Sequence, residues 1–259
     1  MSYQSATIVI RALPPPSRGR GVFKSLFLSL LFPLSLACVP LTSHAAAVPV
    51  KDPDASGELI FDYDVNPPGT YTLQKIQHAA SGQVLDTEGR ARALADSFGS
   101  GKVTLLSFIY SSCADPNGCP YAYTVFHLLK SRMEREQPQL TGKTRLVSLS
   151  FDPERDTPEA LKLYAGADAK AAKGVQWDFL TTASLRELIP ILDAYRQDVY
   201  FDLDPKTGQA LGTMSHVLKV FLIDRAGEVR EIYTASYLNP DVVYNDILTL
   251  HLEDGATLK

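Results

Sequence analysis

Apolar runs alternate with helix-like segments over the second half of the chain. Residues 103–110 (VTLLSFIY) and 145–151 (RLVSLSF) are nearly continuous apolar runs, which are typical of central strands buried on both faces. A shorter run, WDFLT, covers 177–181. Because the segments between these runs repeat apolar residues at helical spacing, the pattern predicts strands and helices in alternation.

Helix start signals follow each predicted strand. Pro120 can occupy a first helical turn, since proline lacks only an N–H that would be unpaired there. The segment DTPEALKLYA (156–165) places a capping residue directly before a proline, and 184–195 has a third helical pattern. A helix capped by Asn239 closes the chain. Four helices are therefore predicted.

The end of this region reads as a hairpin. HVLKVFLI (216–223) and EVREIYT (228–234) flank the turn DRAG. Upstream, the patterns predict short strands near 71–77 and a helix near 88–97. The order of elements predicts an α/β fold, a three-layer α/β sandwich whose mixed sheet has helices on both faces. Function in such sheets gathers in the loops beyond the carboxyl ends of the strands.

Composition fits a soluble globular protein with an N-terminal extension. The chain has 259 residues, 45% of them hydrophobic and 21% charged. Its first 50 residues hold four Lys and Arg and no acid, so the remainder carries 21 bases against 29 acids. Nucleic acid is excluded as a partner because its phosphates require clustered cations. We expect an arm or tether at 48–66 and a folded domain at 67–259.

The N-terminus predicts export. Scattered cations end at Lys24, an apolar run covers 26–41, and the small residues SHAAA follow. This order predicts a signal peptide over 1–47 that is cleaved, and a periplasmic or otherwise exported protein. The run of 16 residues is shorter than the ~20 that span a bilayer, but an uncleaved membrane anchor and lipidation at Cys38 stay open.

Cleavage leaves Cys113 and Cys119 as the only cysteines of the exported chain. In an oxidising compartment such a pair is a disulfide, a metal clamp or a redox couple. A bridge between them would enclose a very short loop and stabilise the fold little, because loop-closure stabilisation grows with the residues enclosed. Metal binding and redox chemistry are therefore the stronger hypotheses.

The pair lies in SFIYSSCADPNGCPYAY, between the first buried strand and the first helix. Turn-forming residues between the cysteines can fold the segment back and bring the two sulfurs together. Cys119 is at or next to a helix N-terminus, where unpaired N–H groups and the macrodipole favour the thiolate and are expected to lower its pKa. A strand that ends in a cysteine pair opening a helix is the placement found in thioredoxin-like folds.

Three stretches in order, GKVTLLSFIYSSC…CP, VSLSFDPERDTPEALKLYA and SHVLKVFLIDRAGEV, resemble the Sco/SenC family of exported, thioredoxin-like copper chaperones. The resemblance implies that Cys113, Cys119 and His216 bind copper. It also implies delivery of that copper to the binuclear centre of cytochrome c oxidase, and so a copper-accepting partner such as an oxidase subunit. Two thiolates suit Cu(I), and an added imidazole lets the same site hold Cu(II).

Two features depart from the family pattern. Five residues separate the cysteines where the family usually has three, and this widened C-x5-C motif leaves the sulfur geometry less constrained. Ser215 stands before His216 where an acid is common, and Met214 before it is either a soft auxiliary ligand or a packing residue. Asp152 has two interpretations, support of a ligand or entry into the following helix.

Other functions stay open beside the metallochaperone, which requires no catalysis. A thiol–disulfide oxidoreductase acting on a copper-accepting partner would need the cysteine pair but not His216. The C-x-x-C spacing of dedicated oxidoreductases is absent. A redox or copper sensor is the third hypothesis. His78, His127 and His251 have no partner at ligand spacing and are not predicted to bind metal.

Overall fold

The computed structural model describes residues 61, 63–99, 101–170 and 173–259. The predicted signal peptide at 1–47 and most of the arm at 48–66 lie outside the described residues. None of the helices in the described part of the chain is both long and apolar enough to cross a membrane.

The described residues form ten strands and four α-helices, and the helices come in the predicted order. The strands are β1 Gln77–His78, β2 Gln83–Leu85, β3 Ala91–Ala93, β4 Val103–Ile109, β5 Thr144–Ser150, β6 Gln176–Leu180, β7 Val199–Leu203, β8 Ala210–His216, β9 Lys219–Ile223 and β10 Glu228–Thr234. The helices are α1 Cys119–Glu136, α2 Pro158–Ala165, α3 Leu185–Ala194 and α4 Pro240–Glu253.

Six strands form the central sheet, in the order β1-β10-β9-β4-β5-β6. Strands β4, β5 and β6 are parallel, whereas β9, β10 and β1 join on the other side in antiparallel pairs. Helices α1, α2 and α4 pack on one face of this sheet and α3 on the other. The predicted three-layer α/β sandwich with a mixed sheet is confirmed.

Strand β9 shows why the apolar runs are continuous. Val220 and Leu222 belong to the cluster that packs under α1 and α4, whereas Phe221 and Ile223 belong to the cluster under α3. All four side chains are fully buried. Since side chains alternate between the faces of a strand and both faces are covered, every position must be apolar.

The helix starts are built as their sequences predict. Thr157 is the N-cap of α2, and its side chain accepts a hydrogen bond from the backbone of Ala160 at 3.3 Å. Asn239 caps α4 by accepting from the backbone N–H of Asp241 at 2.8 Å. Cys119 and Pro120 are the first two residues of α1. The two caps and Pro120 leave fewer unpaired backbone N–H groups at the starts of these helices.

The predicted helix near 88–97 is wrong. Strand β3 occupies part of it and pairs with β2, and a short 3₁₀ turn, Leu94–Ser97, follows. A tertiary contact overrides the local pattern, because the carboxylate of Asp178 in β6 accepts from Arg92 at 2.6 Å and from Ser97 at 2.9 Å. Near 71–77, only Gln77 belongs to a strand.

The predicted strand 216–223 is two strands. β8 ends at His216 and pairs with β7 in a separate two-stranded sheet, and β9 begins at Lys219 in the central sheet. The hairpin of β9 and β10 around the turn DRAG is confirmed. We call the β7–β8 pair, residues 199–216, the histidine hairpin.

A buried histidine makes folding stability depend on pH. His251 is 1% exposed, and its imidazole lies 2.9 Å from Thr144 Oγ1. Burial, with smaller effects of Lys143 and Arg225, lowers its pKa from 6.5 to about 4. Below pH 6.5 the unfolded chain binds a proton that the folded chain does not bind until about pH 4.

We therefore expect this histidine to remove roughly 3 kcal/mol of stability as the pH falls from 6.5 to 4. Urea unfolding at a series of pH values measures the effect. The variant His251→Gln should show a flatter profile over that window. If His251→Gln leaves the pH dependence of stability unchanged, His251 is not its cause.

Candidate metal centre

A tight loop between β4 and α1 carries Cys113 and leads into Cys119, the first residue of α1. We call residues 110–118 the cysteine loop. Its main chain turns twice, with the N–H of Cys113 donating to the carbonyl of Tyr110 at 3.2 Å and the N–H of Gly118 donating to the carbonyl of Asp115 at 3.0 Å. A Cβ at Gly118 would lie 3.2 Å from Cys113 Sγ, closer than ordinary packing allows. Glycine there lets the sulfur approach the start of α1.

Cys113 and Cys119 are both free and line the same groove, where Cys113 is close enough to raise the pKa of Cys119. Cys119 is 1% exposed, whereas Cys113 is half-buried. The five-residue spacing therefore still brings the two sulfurs together. The two thiols differ in environment, with an inner thiol at the helix start and an outer thiol on the loop.

The expectation of a lowered pKa at Cys119 is wrong. Burial raises the pKa of this thiol, and the neighbouring Cys113 raises it further. Hydrogen bonds from the backbone of Tyr110, directly after β4, and of Cys119 itself oppose the shift but do not outweigh it. Desolvation of a thiolate that has almost no access to water is the larger effect. The inner cysteine is therefore a protonated thiol at neutral pH.

His216 reaches the inner cysteine from the end of β8. Its Nε2 lies 3.7 Å from Cys119 Sγ, although 97 residues separate the two in the chain. The imidazole packs edge-on against the rings of Phe151 and Tyr110, with centroids 4.8 and 6.0 Å away. Burial lowers the pKa of His216, which favours the neutral imidazole that ligates metals.

A groove of about 400 Å³ opens beside the two sulfurs. Its walls include Cys113, Cys119 and the rings of Tyr110, Tyr123 and Tyr164. The sulfurs therefore line a surface depression that a metal ion or a partner's side chain can enter.

The donor set of Cys113, Cys119 and His216 is two sulfurs and one ring nitrogen. Soft thiolates and an imidazole fit copper. Among the described residues, no three His, Cys, Asp or Glu side chains already have metal-binding spacing. His216 Nε2 lies 3.7 Å from Cys119 Sγ, and Cys113 lines the same groove as Cys119, so the three side chains belong to one site. The assignment of these three residues as ligands stays a prediction.

Met214 and Asp152 have structural roles in the described site. Met214 is buried in the cluster beneath α3, and its carbonyl accepts from the hydroxyl of Tyr110 at 3.4 Å, which supports the packing interpretation. The carboxylate of Asp152 accepts from Arg155 Nε. Burial raises the pKa of Asp152, and the bond to Arg155 opposes that shift.

Two other histidines of the described residues, His127 and His78, have partners outside the cysteine loop. His127 on α1 pairs with Asp168 at 2.9 Å and packs against Trp177. The side chain of His78 on β1 is 74% exposed and lies 3.7 Å from Glu228.

The sequence analysis missed the histidine hairpin, although its turn has a recognisable signal. VYFDL and ALGTMSH flank DPKTGQ, in which the Asp204 side chain accepts from the backbone N–H groups of Lys206 at 2.7 Å and Thr207 at 2.9 Å. Gly208 adopts a φ of +71°, a conformation that favours glycine. An Asp and a Gly between two β-prone runs identify such a turn.

The unequal burial of the thiols predicts unequal reactivity. We expect iodoacetamide to alkylate Cys113 at least ~10-fold faster than Cys119 at neutral pH, because the attacking species is an accessible thiolate. Mass spectrometry of Cys113→Ser and Cys119→Ser, each with one thiol in the domain, measures the two rates. Equal rates would contradict the inner and outer assignment.

Comparison with known proteins agrees with this architecture. The family model SCO1/SenC matches residues 70–251. The SCO1 protein homolog of Bacillus subtilis (strain 168) is 27% identical over 160 residues, which cover 61% of this chain and 74% of that protein.

Among solved structures, Bradyrhizobium japonicum ScoI with copper bound is 26% identical, with a TM-score of 0.50 over 66% of this chain and 97% of its own. BsSco, a member of the Sco family of cytochrome c oxidase assembly proteins in which a disulfide switch was identified, is 23% identical. It aligns with a TM-score of 0.50 over 71% of this chain and 98% of its own, which supports the thioredoxin-like fold. Since the family model spans most of the domain that holds the cysteine loop and the histidine hairpin, the chain belongs to the SCO1/SenC family.

Proposed function

We propose that this protein is an exported copper metallochaperone whose ligands are Cys113, Cys119 and His216. The observation that carries the proposal is the 3.7 Å approach of His216 Nε2 to Cys119 Sγ, next to a second free thiol. The copper-bound state of the Bradyrhizobium japonicum relative supports the choice of metal.

Each residue has a separate task in holding the copper cargo. The two sulfurs supply the soft donors that Cu(I) prefers, and the imidazole supplies the harder donor that Cu(II) requires. The outer position of Cys113 makes it the first thiol that an incoming or departing metal meets. The aromatic rings of Tyr110 and Phe151 hold the imidazole of His216 beside Cys119.

The proposed acceptor is a copper-accepting protein of the cytochrome c oxidase assembly route, an oxidase subunit with the binuclear copper centre. BsSco, described as a member of the cytochrome c oxidase assembly proteins, supports this destination. Export follows from the predicted signal peptide at 1–47, and an anchor or lipid at that segment would hold the domain at a membrane.

Thiol–disulfide exchange is the second candidate, and the inner and outer placement of the two thiols favours it. An outer thiol can attack a partner's disulfide, and the inner thiol can then resolve the mixed disulfide. Such an activity on a copper-accepting partner would need the cysteine pair but not His216. Turnover in an insulin reduction assay that persists without His216 identifies this chemistry.

Copper titration of the reduced protein, purified after export to a bacterial periplasm, tests the proposal. We expect one copper equivalent per chain, and none at the same concentrations in the double variant Cys113→Ser/Cys119→Ser. Absence of binding by the wild-type protein, or equal binding by the double variant, would refute the metallochaperone.

A further inference from the structure

The segment FDPERDTPE at 151–159, part of the second stretch that resembles the Sco/SenC family, lies in the chain between the cysteine loop and the histidine hairpin. We propose that Asp152, Arg155 and Asp156 form a clamp that fixes these two elements relative to each other. They are positioning residues for the copper site, and in that respect the inference rests on the proposed function.

The first arm of the clamp is Asp156, which anchors the cysteine loop. Its carboxylate is 1% exposed and accepts three hydrogen bonds, from the backbone N–H of Ser111 at 2.9 Å, from the Ser111 hydroxyl, and from the Ser150 hydroxyl at 2.6 Å. Ser111 is two residues before Cys113. Charge-assisted bonds to a buried carboxylate are strong and directional, so they fix where the loop leaves β4.

The second arm is Arg155, which holds the histidine hairpin. Its Nη1 donates to the carbonyl of Gly212, four residues before His216 on β8. Its Nε donates to Asp152, and its guanidinium carbon lies 5.9 Å from the centroid of the Tyr110 ring. Arginine can make these contacts together because its planar group donates in several fixed directions.

One short turn joins the two arms. The N–H of Asp156 donates to the carbonyl of Asp152 at 2.8 Å, and the N–H of Asp152 donates to the hydroxyl of Ser150 at 3.0 Å. That same hydroxyl donates to Asp156. A displacement of either arm therefore moves the other, and the distance between the sulfurs and the imidazole depends on this turn.

The start of helix α2 does not account for the side-chain bonds of Arg155 and Asp156. Thr157 is the N-cap of α2, and its side chain makes the capping bond to Ala160. The side-chain bonds of Asp156 and the outer bond of Arg155 all reach residues outside α2. The motif therefore contains two polar groups that the helix does not require but that the two copper-binding elements do.

Hydrogen exchange of the metal-free protein tests the second arm. We expect Arg155→Gln to speed the exchange of β8 backbone amides about tenfold, since one strong hydrogen bond to the hairpin is lost. Arg155→Lys should recover part of the protection, because a cation can still reach the carbonyl of Gly212. The control is Arg135→Gln, sixteen residues beyond Cys119 on α1, or about 24 Å along the helix.

Asp156→Asn tests the first arm. An amide cannot accept all three bonds, so we expect faster exchange at the N–H of Ser111 and at least ~10-fold faster alkylation of Cys119, with smaller changes in β8 than Arg155→Gln causes. The global unfolding midpoint is measured in parallel. Unchanged exchange in both elements, or an increase spread evenly over the whole sheet, would overturn the clamp.

Copper binding links the clamp to the site. We expect Arg155→Gln to weaken Cu(II) binding about 10-fold, within the range for partners that orient a ligand, and Cu(I) binding less, because only Cu(II) requires His216. Equal loss for both oxidation states would overturn the selective positioning of His216. If the wild-type protein binds no copper, the proposed function fails, while the exchange measurements still decide the clamp.

Discussion

Replacing His216 with alanine is expected to weaken Cu(II) binding by more than ~100-fold, since even residues that only orient a metal ligand contribute 10–100-fold. Cu(I) binding should fall much less, because the two sulfurs remain. The imidazole is a harder donor than the two thiols and lies 3.7 Å from Cys119 Sγ. Competition titrations with chelators of known affinity, carried out for each oxidation state, measure both changes.

Two further variants separate ligation from packing. His216 packs against Tyr110 and Phe151, so His216→Phe keeps an aromatic ring there while removing the nitrogen. The exposed His78→Ala, on the edge strand β1, serves as a matched control. Cu(II) affinity that survives both substitutions of His216 would refute the three-ligand site and leave dithiol chemistry as the function.

Replacing Phe126 with alanine is expected to cost about 3–5 kcal/mol of unfolding free energy. Phe126 lies on α1, is 0% exposed, and packs its ring 5.6 Å from that of Trp177 on β6. The loss combines the transfer of the ring from water with the cavity left between helix and sheet. Urea denaturation monitored by circular dichroism measures it.

Leu128→Ala on the same helix is the control. Leu128 is 52% exposed, so its truncation should change stability by less than ~0.5 kcal/mol. Comparable losses in the two variants would contradict the burial of α1 against the sheet. Because α1 begins at Cys119, the Phe126 variant also shows whether the proposed copper site depends on the packing of this helix.

For Cys119, the position in the fold could be predicted from the sequence, but the pKa could not. The position of Cys119 at the start of α1 could be predicted, because Pro120 and the helical spacing after it are local signals. The direction of its pKa shift could not be predicted. Burial depends on which elements cover the helix start, and this desolvation outweighs the helix N-terminus.

For His216, the strand that carries it could not be predicted from the sequence. The family resemblance predicts that His216 is a ligand, and the hydrophobic pattern predicts that it begins a strand of the central sheet. The structure instead ends β8 at His216, and the imidazole reaches Cys119 from a separate hairpin. The hydrogen bonds of Arg155 and Asp156 to the histidine hairpin and the cysteine loop also could not be predicted from the sequence, although both residues lie in a stretch that resembles the family.

The copper ligands Cys113, Cys119 and His216 are a prediction from the family resemblance. The sequence by itself determined the central strands, the helix starts and the α/β class. These features follow from side-chain periodicity and capping, which act between residues close together in the chain. Only the tertiary structure decided the two-strand division at 216–223, the raised pKa of Cys119 and the clamp at 152–156. Those features depend on burial and on contacts between elements that are distant in sequence, which local patterns do not specify.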